Sequence, residues 1–265
     1  MKTDSSINYK VDTSHIVAEG ISDVGCLRPH NEDSIWLDNS GLVLLLADGM
    51  GGHERGEEAS QTAIRVFREL LTPDVIKREV GDITAATDVP PEIASLYTLI
   101  FRAVGKTANF LFERNMELKL ERYMGTTVVG LVLVESEHML LWFHIGDSRL
   151  YRWRDHTLKC ITTDHSAYEE WASAGRIGVE PGRHIITRVI GINPGVEADI
   201  EWDKRRKDDI YILCSDGLND MITDEQIADV VKAENNVSDI ANCLVNAALA
   251  AGGKDNVSVI VCKIL

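Results

Sequence analysis

The sequence lacks the features that mark a secreted or membrane-spanning chain. Its five cysteines are odd in number, widely spaced and never form a C-x-x-C pair, which argues against a disulfide framework or a thiolate zinc site. No apolar run reaches the roughly 18 residues that a membrane span requires. Residues 1–15 are polar and contain no hydrophobic stretch of the kind found in signal peptides. We therefore expect a soluble, cytoplasmic protein with no membrane partner.

Positive charge is also scarce. The chain has 27 Lys and Arg against 42 Asp and Glu, a formal net charge of −15. Nucleic acids and anionic membranes are bound by concentrated positive charge, so no nucleic-acid partner is expected. The balance still allows a small phosphate site in which metal ions and one arginine supply the charge. Nothing in the composition indicates an oligomer, and a monomer is the default expectation.

The 265 residues are 45% hydrophobic, enough for one large domain with a substantial core. No internal repeat or linker divides the chain, so we expect a flexible N-terminal tail over 1–14 and a single domain over 15–265. Strand and helix patterns come in runs rather than in strict alternation. This arrangement predicts an α+β fold, with helices covering a mainly antiparallel sheet system.

Hydrophobic periodicity predicts the individual elements. Strands are expected at 16–22, 34–37, 41–47, 126–134, 138–145, 148–153, 158–162, 185–190, 198–202, 209–214 and 257–264. Helices are expected at 57–71, 91–118, 166–174, 223–232 and 238–251. Residues 81–91 are predicted to be a polar, turn-rich bridge.

Acidic residues stand where apolar strands begin or end. Asp48, Asp147 and Asp216 each follow an apolar run and have a glycine beside them, and Asp255 opens the last strand. A carboxylate beside an apolar core is costly unless it is paired or binds a metal. One Asp-Gly pair alone is best explained as a turn, but four such carboxylates favour a metal cluster. Oxygen ligands without a His or Cys set select Mg²⁺ or Mn²⁺ over zinc.

The segment 23–33 (DVGCLRPHNED) supplies further candidates. Glu32 and Asp33 are adjacent at the start of a strand, so their side chains should point to opposite faces. Arg28 lies just upstream, and its planar guanidinium suits bidentate phosphate binding. Neutralising the neighbouring acids is the alternative role for this arginine.

These motifs, taken in order, resemble the metal-dependent protein phosphatases of the PPM (type 2C) family, in particular its bacterial members. The matching segments are 23–33, 47–53 (ADGMGGH), 125–127 (GTT), 144–151 (HIGDSRLY), 163–166 (TDHS), 186–191 (ITRVIG), 214–218 (CSDGL) and 253–258 (GKDNVS). The resemblance covers nearly the whole chain beyond residue 15. It implies a four-layer α-β-β-α sandwich, in which helix pairs flank two mainly antiparallel sheets and the metal site lies at one end.

The resemblance also implies an activity, which is hydrolysis of phosphoserine and phosphothreonine on proteins by metal-activated water. The implied cofactors are two core Mn²⁺ or Mg²⁺ ions with a possible third. The implied partners are phosphorylated proteins, including a bacterial Ser/Thr kinase and the targets whose modification the enzyme reverses. Two alternatives stay open: a catalytically silent phosphoprotein-binding module and a hydrolase of small phosphate esters. The intact set of acidic residues favours an enzyme over the silent module.

By the same resemblance, Asp48 would bridge both core metals. Asp216 and Asp255 would complete one of them, and the Gly49 carbonyl would serve the other. Asp147, together with Asp216, would hold the third metal.

Four more residues take implied roles. Glu32 or Asp33 would assist the metals, directly or through water. Arg28 would hold the substrate phosphate, and Asn256 would orient Asp255 or a water on the metal.

The chain departs from some members of the family at two places. Met50 stands where some members carry a histidine proposed as general acid, and a thioether has no proton to donate. His53 is the nearest candidate for that role, with a plain loop position as the alternative. The flap-like segment at 167–185 is shorter than in many bacterial members, and Arg176, Arg183 or His184 within it are candidates for substrate selection.

Overall fold

Two antiparallel sheets packed face to face form the centre of the structure. The computed structural model describes residues 6–51, 55–82, 89–134 and 138–265, and for residues 80–82 it describes the backbone alone. None of the helices in these ranges is long and apolar enough to cross a bilayer.

The described ranges contain twelve strands and seven helices. The strands are β1 (Ile7–Asp12), β2 (Ile16–Asp23), β3 (Asp33–Leu37), β4 (Val43–Met50), β5 (Gly125–Thr126), β6 (Val128–Val134), β7 (Met139–Ile145), β8 (Arg149–Arg154), β9 (Thr157–Cys160), β10 (Asp199–Lys204), β11 (Ile210–Cys214) and β12 (Val257–Ile264). The helices are α1 (Arg55–Leu70), α2 (Pro73–Asp82), α3 (Pro91–Glu117), α4 (Ala167–Ser173), α5 (Asp216–Asn219), α6 (Asp224–Ala233) and α7 (Val237–Ala250).

Every strand pairing within the two sheets is antiparallel. The first sheet has the order β1-β2-β12-β11-β8-β9, and the second has the order β10-β7-β6-β4-β3, with β5 paired to β4. Strands β4, β6 and β7 are buried on both faces, as their continuous apolar runs predict.

Three hydrophobic clusters separate four layers. Leu44, Leu46 and Leu213 belong to the cluster between the sheets. Phe67 of α1 stacks on Phe143 of β7, with ring centroids 5.2 Å apart, in the cluster beneath α1 and α3. The third cluster joins the first sheet to α6 and α7. The four-layer α-β-β-α sandwich expected from the sequence is confirmed.

The N-terminal residues differ from expectation. Residues 7–12 belong to the stretch predicted to be a flexible tail, but they form the edge strand β1, in register from Ile7 opposite Ser22 to Asp12 opposite Val17. Only Val11 of this strand is buried. Backbone pairing therefore holds β1, and this explains why no hydrophobic pattern revealed it.

Two internal expectations also differ. Residues 185–190 form no strand and make only isolated bridges, Ser166 to Ile186, Thr126 to Ile190 and Ile190 to Asn193. These bridges reach three separate segments, so no continuous ladder can form. Helix α2 was not predicted because Pro73 looked like an interruption, yet proline is also favourable at the first position of a helix.

Candidate metal centre and active site

The acidic residues singled out in the sequence meet at one end of the sandwich. Strands β4, β7 and β11 run toward this end, and β3, β8 and β12 start from it. Asp33 lies opposite Asp48 in the β3–β4 pair. Asp147 lies in the turn between β7 and β8, while Asp216 begins α5 directly after β11, and Asp255 precedes β12.

Crowding of like charges and loss of water dominate the electrostatics of Asp48. Burial raises the pKa of Asp48 well above its usual range, and the carboxylates of Asp33, Asp216, Asp147 and Asp255 raise it further. Burial likewise raises the pKa of Asp216, with Asp147 and Asp255 as its strongest acidic neighbours. These shifts show that the five carboxylates share one electrostatic environment.

Asp33 and Asp147 are the members of the group with the smallest exposed fractions, 8% and 7%. Burial raises the pKa of Asp33 to about 6, although hydrogen bonds from Ser258 and Ser215 oppose the shift. The Ser215 hydroxyl donates to Asp33 Oδ2 at 2.8 Å. Burial also raises the pKa of Asp147 to about 6, and Asp147 Oδ1 is a buried oxygen with no hydrogen-bond partner. An unpartnered buried carboxylate oxygen is unusual in a native protein.

Threonines hold the backbone around Asp48. The Asp48 N–H donates to Thr127 Oγ1 at 3.0 Å, and Thr126 Oγ1 donates to the Asp48 carbonyl at 2.8 Å. Thr127 Oγ1 also shares a 2.7 Å hydrogen bond with Ser148 Oγ, next to Asp147. The segment 125–127 therefore links the β4 and β7 parts of the cluster.

Asn256 joins the loop of residues 24–32, called here the Arg28 loop, to the last strand. Its side-chain amide donates to the carbonyls of Val24 and His30, both at 2.9 Å, and its Oδ1 accepts from the Glu32 N–H at 2.7 Å. Both amide hydrogens are thus used on the backbone of this loop. The Asn256 N–H donates to Asp255 Oδ1 at 2.8 Å, so the expected orientation of Asp255 comes from the main chain.

Arg28 is the cation at the mouth of the cluster. Its Nη2 lies 2.6 Å from Asp255 Oδ2, and 47% of the side chain is exposed. The guanidinium therefore neutralises one acid and still faces solvent, where a phosphate can reach it. Both roles considered from the sequence are compatible with this position.

Glu32 and Asp33 point in different directions, as their adjacency predicts. Glu32 Oε1 accepts from the Gly56 N–H at 3.1 Å, at the start of α1, where helix geometry favours a negative charge. The Glu32 carbonyl accepts from the Gly49 N–H at 3.1 Å. A Cβ on Gly49 would lie 2.0 Å from the Gly56 carbonyl oxygen, so only glycine allows this approach.

The donor set fits divalent cations of the Mg²⁺ or Mn²⁺ type. The five carboxylates offer oxygen ligands, and one of these oxygens, Asp147 Oδ1, has no hydrogen-bond partner. The guanidinium of the nearby Arg149 donates instead to Asp164, at 2.7 and 2.8 Å. Hard oxygen ligands of this kind suit Mg²⁺ and Mn²⁺. The five carboxylates do not converge on one point, because no three of these residues place one oxygen each within 4.8 Å of one another. An extended acidic wall of this kind can hold more than one ion.

A cleft of about 310 Å³ opens beside Asp147 and Asp216, beneath the flap-like segment. Arg183 and His184 line this cleft, whereas Arg176 lies instead over the Trp171 ring. The Arg183 guanidinium is held by Tyr168, 3.9 Å from its ring centroid and 2.7 Å from its hydroxyl. Two of the three candidates for substrate selection therefore face the acidic site.

A family model described as Protein phosphatase 2C matches residues 29–251 of the sequence, which contain most of this site. The chain belongs to the protein phosphatase 2C family. The serine/threonine phosphatase stp of Listeria monocytogenes serotype 4b is 32% identical over 252 residues, covering 92% of this chain and 94% of that protein. The serine/threonine protein phosphatase PstP of Mycobacterium tuberculosis is 34% identical over 250 residues, covering 92% of this chain and 44% of that protein.

Solved structures of related phosphatases have the same fold. The catalytic domain of PstP in complex with two manganese ions is 34% identical, with a TM-score of 0.76 over 95% of this chain and 99% of that one. The serine/threonine phosphatase of S. agalactiae is 27% identical, with a TM-score of 0.78 over 94% of this chain and 100% of that one. The family, the fold and the class of enzyme expected from the sequence are thus confirmed.

The phosphatase brings together nearly all the residues that the sequence singled out. Those that meet at the acidic end are Arg28, Glu32, Asp33, Asp48, Gly49, Asp147, Asp216, Asp255 and Asn256. His53, the candidate general acid, lies outside the described residues.

Asp220 and the histidines near Asp147 were not predicted from the sequence. Asp220 lies one helical turn after Asp216, lines the same cleft, and burial raises its pKa. The spacing of four residues was the signal that could have revealed it. His144 and His165 belong to matching motifs, but nothing in the sequence indicated that their rings stack, with centroids 4.4 Å apart.

Proposed function

We propose that this phosphatase hydrolyses phosphoserine and phosphothreonine on proteins, and that it reverses the action of a bacterial Ser/Thr kinase. The observation that carries the proposal is the group of five mutually repelling carboxylates at the end of the sandwich, where the described ion pair of Arg28 with Asp255 balances one of the five charges. An acidic site of this kind attracts a phosphate ester only after divalent cations occupy it. Related bacterial chains named serine/threonine phosphatases support the choice of substrate.

The ions we propose are two Mn²⁺ or Mg²⁺, with a third beside Asp147. Asp48, Asp216, Asp255 and the Gly49 carbonyl would hold the first two, with Glu32 assisting directly or through water. When bound, such ions supply an activated water and positive charge for the phosphoryl oxygens. The PstP structure with two manganese ions is a related example.

The chain's own groups then position the substrate and the ligands. Arg28 is exposed enough to hold two phosphoryl oxygens with its planar guanidinium. Ser215 holds the Asp33 carboxylate from behind through its hydroxyl. Asn256 keeps the Arg28 loop closed against β12. These contacts fix the site before substrate arrives, which lowers the cost of ordering it.

We also propose that the protein acts in the cytoplasm. All five cysteines are free thiols, and burial raises the pKa of Cys214 and Cys262 above the ordinary thiol range. Protonated, unpaired thiols suit a reducing compartment. The corresponding test is a thiol titration of protein purified from a cytoplasmic extract without reductant. We expect all five thiols to be retained.

The deciding experiment measures phosphate release from a phosphothreonine peptide by the full chain, first with saturating Mn²⁺ and then with chelator. We expect turnover only with the metal, and a loss of at least about 100-fold in Asp216→Asn. Asp208→Asn is the matched control, because Asp208 pairs with Lys263 far from the cluster. It removes the same charge and should leave turnover unchanged.

The alternatives give different results in the same assay. No turnover by folded, Mn²⁺-loaded protein would favour the silent phosphoprotein-binding module. Small phosphate esters turned over faster than the peptide by orders of magnitude would favour the metabolite hydrolase. Full activity in Asp216→Asn would leave the enzyme standing and overturn the assignment of its metal ligands.

A further inference from the structure

A cluster of ionisable groups next to Asp147 has no part in the proposed reaction. His144 on β7, His165 beyond β9 and Asp199 on β10 place one ligand atom each within 4.8 Å of one another. Both histidines are buried, and His144 Nδ1 has no hydrogen-bond partner. This geometry resembles a divalent metal site, so the protonation of the rings decides what the cluster can do.

The hydrogen bond from Gly146 to the His165 ring competes with a metal on that ring. His165 Nδ1 accepts from the Gly146 N–H at 3.1 Å, so a neutral ring must carry its proton on Nε2. That nitrogen lies 3.2 Å from Asp199 Oδ2, in a contact that is not aligned as an ideal hydrogen bond. A metal at Nε2 would require either an anionic imidazolate or a proton moved to Nδ1, and the second change would remove the hydrogen bond from Gly146. The ring therefore serves the backbone of Gly146.

His165 makes two hydrogen bonds with Gly146, one through its ring and one through its backbone. Besides the ring contact, the His165 N–H donates to the Gly146 carbonyl at 2.9 Å. Gly146 has φ 103°, and a Cβ there would lie 2.6 Å from Thr127 Cγ2. These contacts hold the turn in one conformation. The conformation of the turn then sets the direction in which the side chain of the next residue, Asp147, points.

The same histidine stands at the base of the flap-like segment. The Thr187 N–H donates to the His165 carbonyl at 2.8 Å, and Ser166 bridges to Ile186. On its outer side, Asp199 is fixed by Arg188, whose Nη1 lies 2.5 Å from Asp199 Oδ1. The ring is thus anchored by an ion pair on one side and bonds the turn of Asp147 on the other.

Burial keeps both stacked rings neutral. Burial lowers the pKa of His144 to about 4, with His165 contributing, and lowers the pKa of His165 in spite of Asp199. A neutral His165 retains the Nδ1 lone pair that Gly146 needs. A protonated ring would lose this acceptor.

We propose that His165 is a positioning residue that aims the unpartnered Asp147 carboxylate at the third divalent ion, an inference that rests on the proposed function. Asp199 and Arg188 hold the ring, the ring holds Gly146, and Gly146 sets the direction of Asp147. Groups that orient metal ligands in this way typically change metal affinity by about 10–100-fold when they are removed. The contact also couples the base of segment 167–185 to the metal end.

Two substitutions separate the two sides of the ring. In His165→Asn the short amide places an oxygen near the position of Nδ1 and can still accept from Gly146. In His165→Gln the longer amide reaches toward Asp199 and leaves the Gly146 N–H without an acceptor. Both variants lose the imidazole and its stacking on His144, so any common loss of thermal stability cancels in the comparison.

The measurements are Mn²⁺ binding to the full chain by calorimetry and hydrogen exchange of the Gly146 amide without metal. We expect His165→Gln to weaken the weakest Mn²⁺ step about tenfold and to speed Gly146 exchange. His165→Asn should stay close to wild type in both, and excess Mn²⁺ should restore turnover in His165→Gln. Asp147→Asn serves as the reference for complete loss of that step.

Several results would overturn the proposal. Equal Mn²⁺ binding in the two variants, whether normal or weakened, would reduce His165 to a packing role. A wild-type ¹⁵N spectrum with the proton on Nδ1 would exclude the Gly146 contact even if both variants failed to fold. Two Mn²⁺ steps without a third would remove the ion that Asp147 is aimed at. Wild type that neither binds Mn²⁺ nor releases phosphate would instead contradict the proposed function.

Discussion

At the scale of single residues, Asp33 and Asp255 of the metal end are held by different neighbours. Asp33 accepts from the Ser215 hydroxyl, and Asp255 accepts from its neighbour's N–H and from Arg28. Asp147 Oδ1 has no such partner. The protein therefore orients its carboxylates with hydroxyls, amides and one guanidinium, and leaves oxygens available to cations.

The guanidinium of Arg28 gives the first residue-scale prediction. Replacing it in Arg28→Lys keeps the positive charge but loses the planar pair of donors that matches two phosphoryl oxygens. We expect kcat/KM for a phosphopeptide to fall about 10- to 100-fold, mainly through KM, since one charge-assisted hydrogen bond contributes roughly 1.5–3 kcal/mol. Steady-state kinetics at saturating Mn²⁺ measure the change.

Arg65→Lys is the matched control. Arg65 lies on α1, outside the acidic end, and pairs with Glu69 at 3.6 Å. Its substitution should leave the kinetics as in wild type. An unchanged kcat/KM in Arg28→Lys would show that Arg28 serves only to neutralise Asp255.

At the scale of elements, the junction of α5 and β12 brings two metal-end segments together. Gly217 packs against the start of β12 so closely that a Cβ would lie 1.9 Å from the Asn256 carbonyl oxygen. The short helix α5 carries Asp216 at its first position. Any displacement at this junction therefore moves Asp216 and Asn256 together.

Gly217→Ala and Gly105→Ala should have opposite effects on stability. The first places a methyl group into the backbone of β12 and should cost about 3 kcal/mol or more, together with activity. Gly105 lies within α3, where a Cβ would meet nothing within 4 Å. Alanine there should stabilise the protein by about 0.5–1 kcal/mol, because glycine is a poor helix former.

Urea unfolding of the two variants beside wild type tests this pair. A lower midpoint for Gly217→Ala and a higher one for Gly105→Ala are expected. Equal midpoints for Gly217→Ala and wild type would mean that the α5–β12 junction can open without cost, against the contact described.

At the scale of the whole molecule, folding a chain of net charge −15 around an acidic cluster has a pH-dependent cost. The pKa values of Asp33 and Asp147 rise to about 6, and those of Asp48 and Asp216 rise well above the usual range. These four carboxylates therefore bind more protons in the folded protein than in the unfolded chain above about pH 4. They outnumber His144 and His165, whose lowered pKa values act in the opposite direction, so stability falls as pH rises through this range. The pKa of Asp199 is lowered by Arg188 and His165 despite its burial, so Asp199 titrates below this pH range.

We expect the melting temperature of chelator-treated protein to fall between about pH 4 and pH 7. With saturating Mn²⁺ the trend should reverse, because the ions bind the ionised carboxylates of the folded state only. Thermal melts across this range, with and without metal, test both slopes. In Asp216→Asn without metal, the decline should be shallower. A melting temperature that rises with pH in chelator would contradict the cluster's electrostatics.

Some features of the fold were readable because they are local in the chain. The fully apolar run of β4 predicted a strand buried on both faces, and the long pattern of α3 predicted a helix from Pro91. Strand β1 was not predicted because backbone pairing alone holds it. Helix α2 was not predicted because the proline at its first position was interpreted as an interruption. Residues 185–190 have strand-like composition but no continuous partner.

The sequence by itself determined the chemistry of the site: acidic residues directly after apolar strands, in a series of motifs that identifies the family. Each Asp-Gly pair is a local feature of the chain, so it can be recognised without knowledge of the fold. Only the tertiary structure decided which groups hold those acids, such as Asn256 on the Arg28 loop, Ser215 on Asp33 and His165 on Gly146. These contacts join residues 19 to 232 positions apart, and no local pattern encodes partners that meet only when the two sheets pack together.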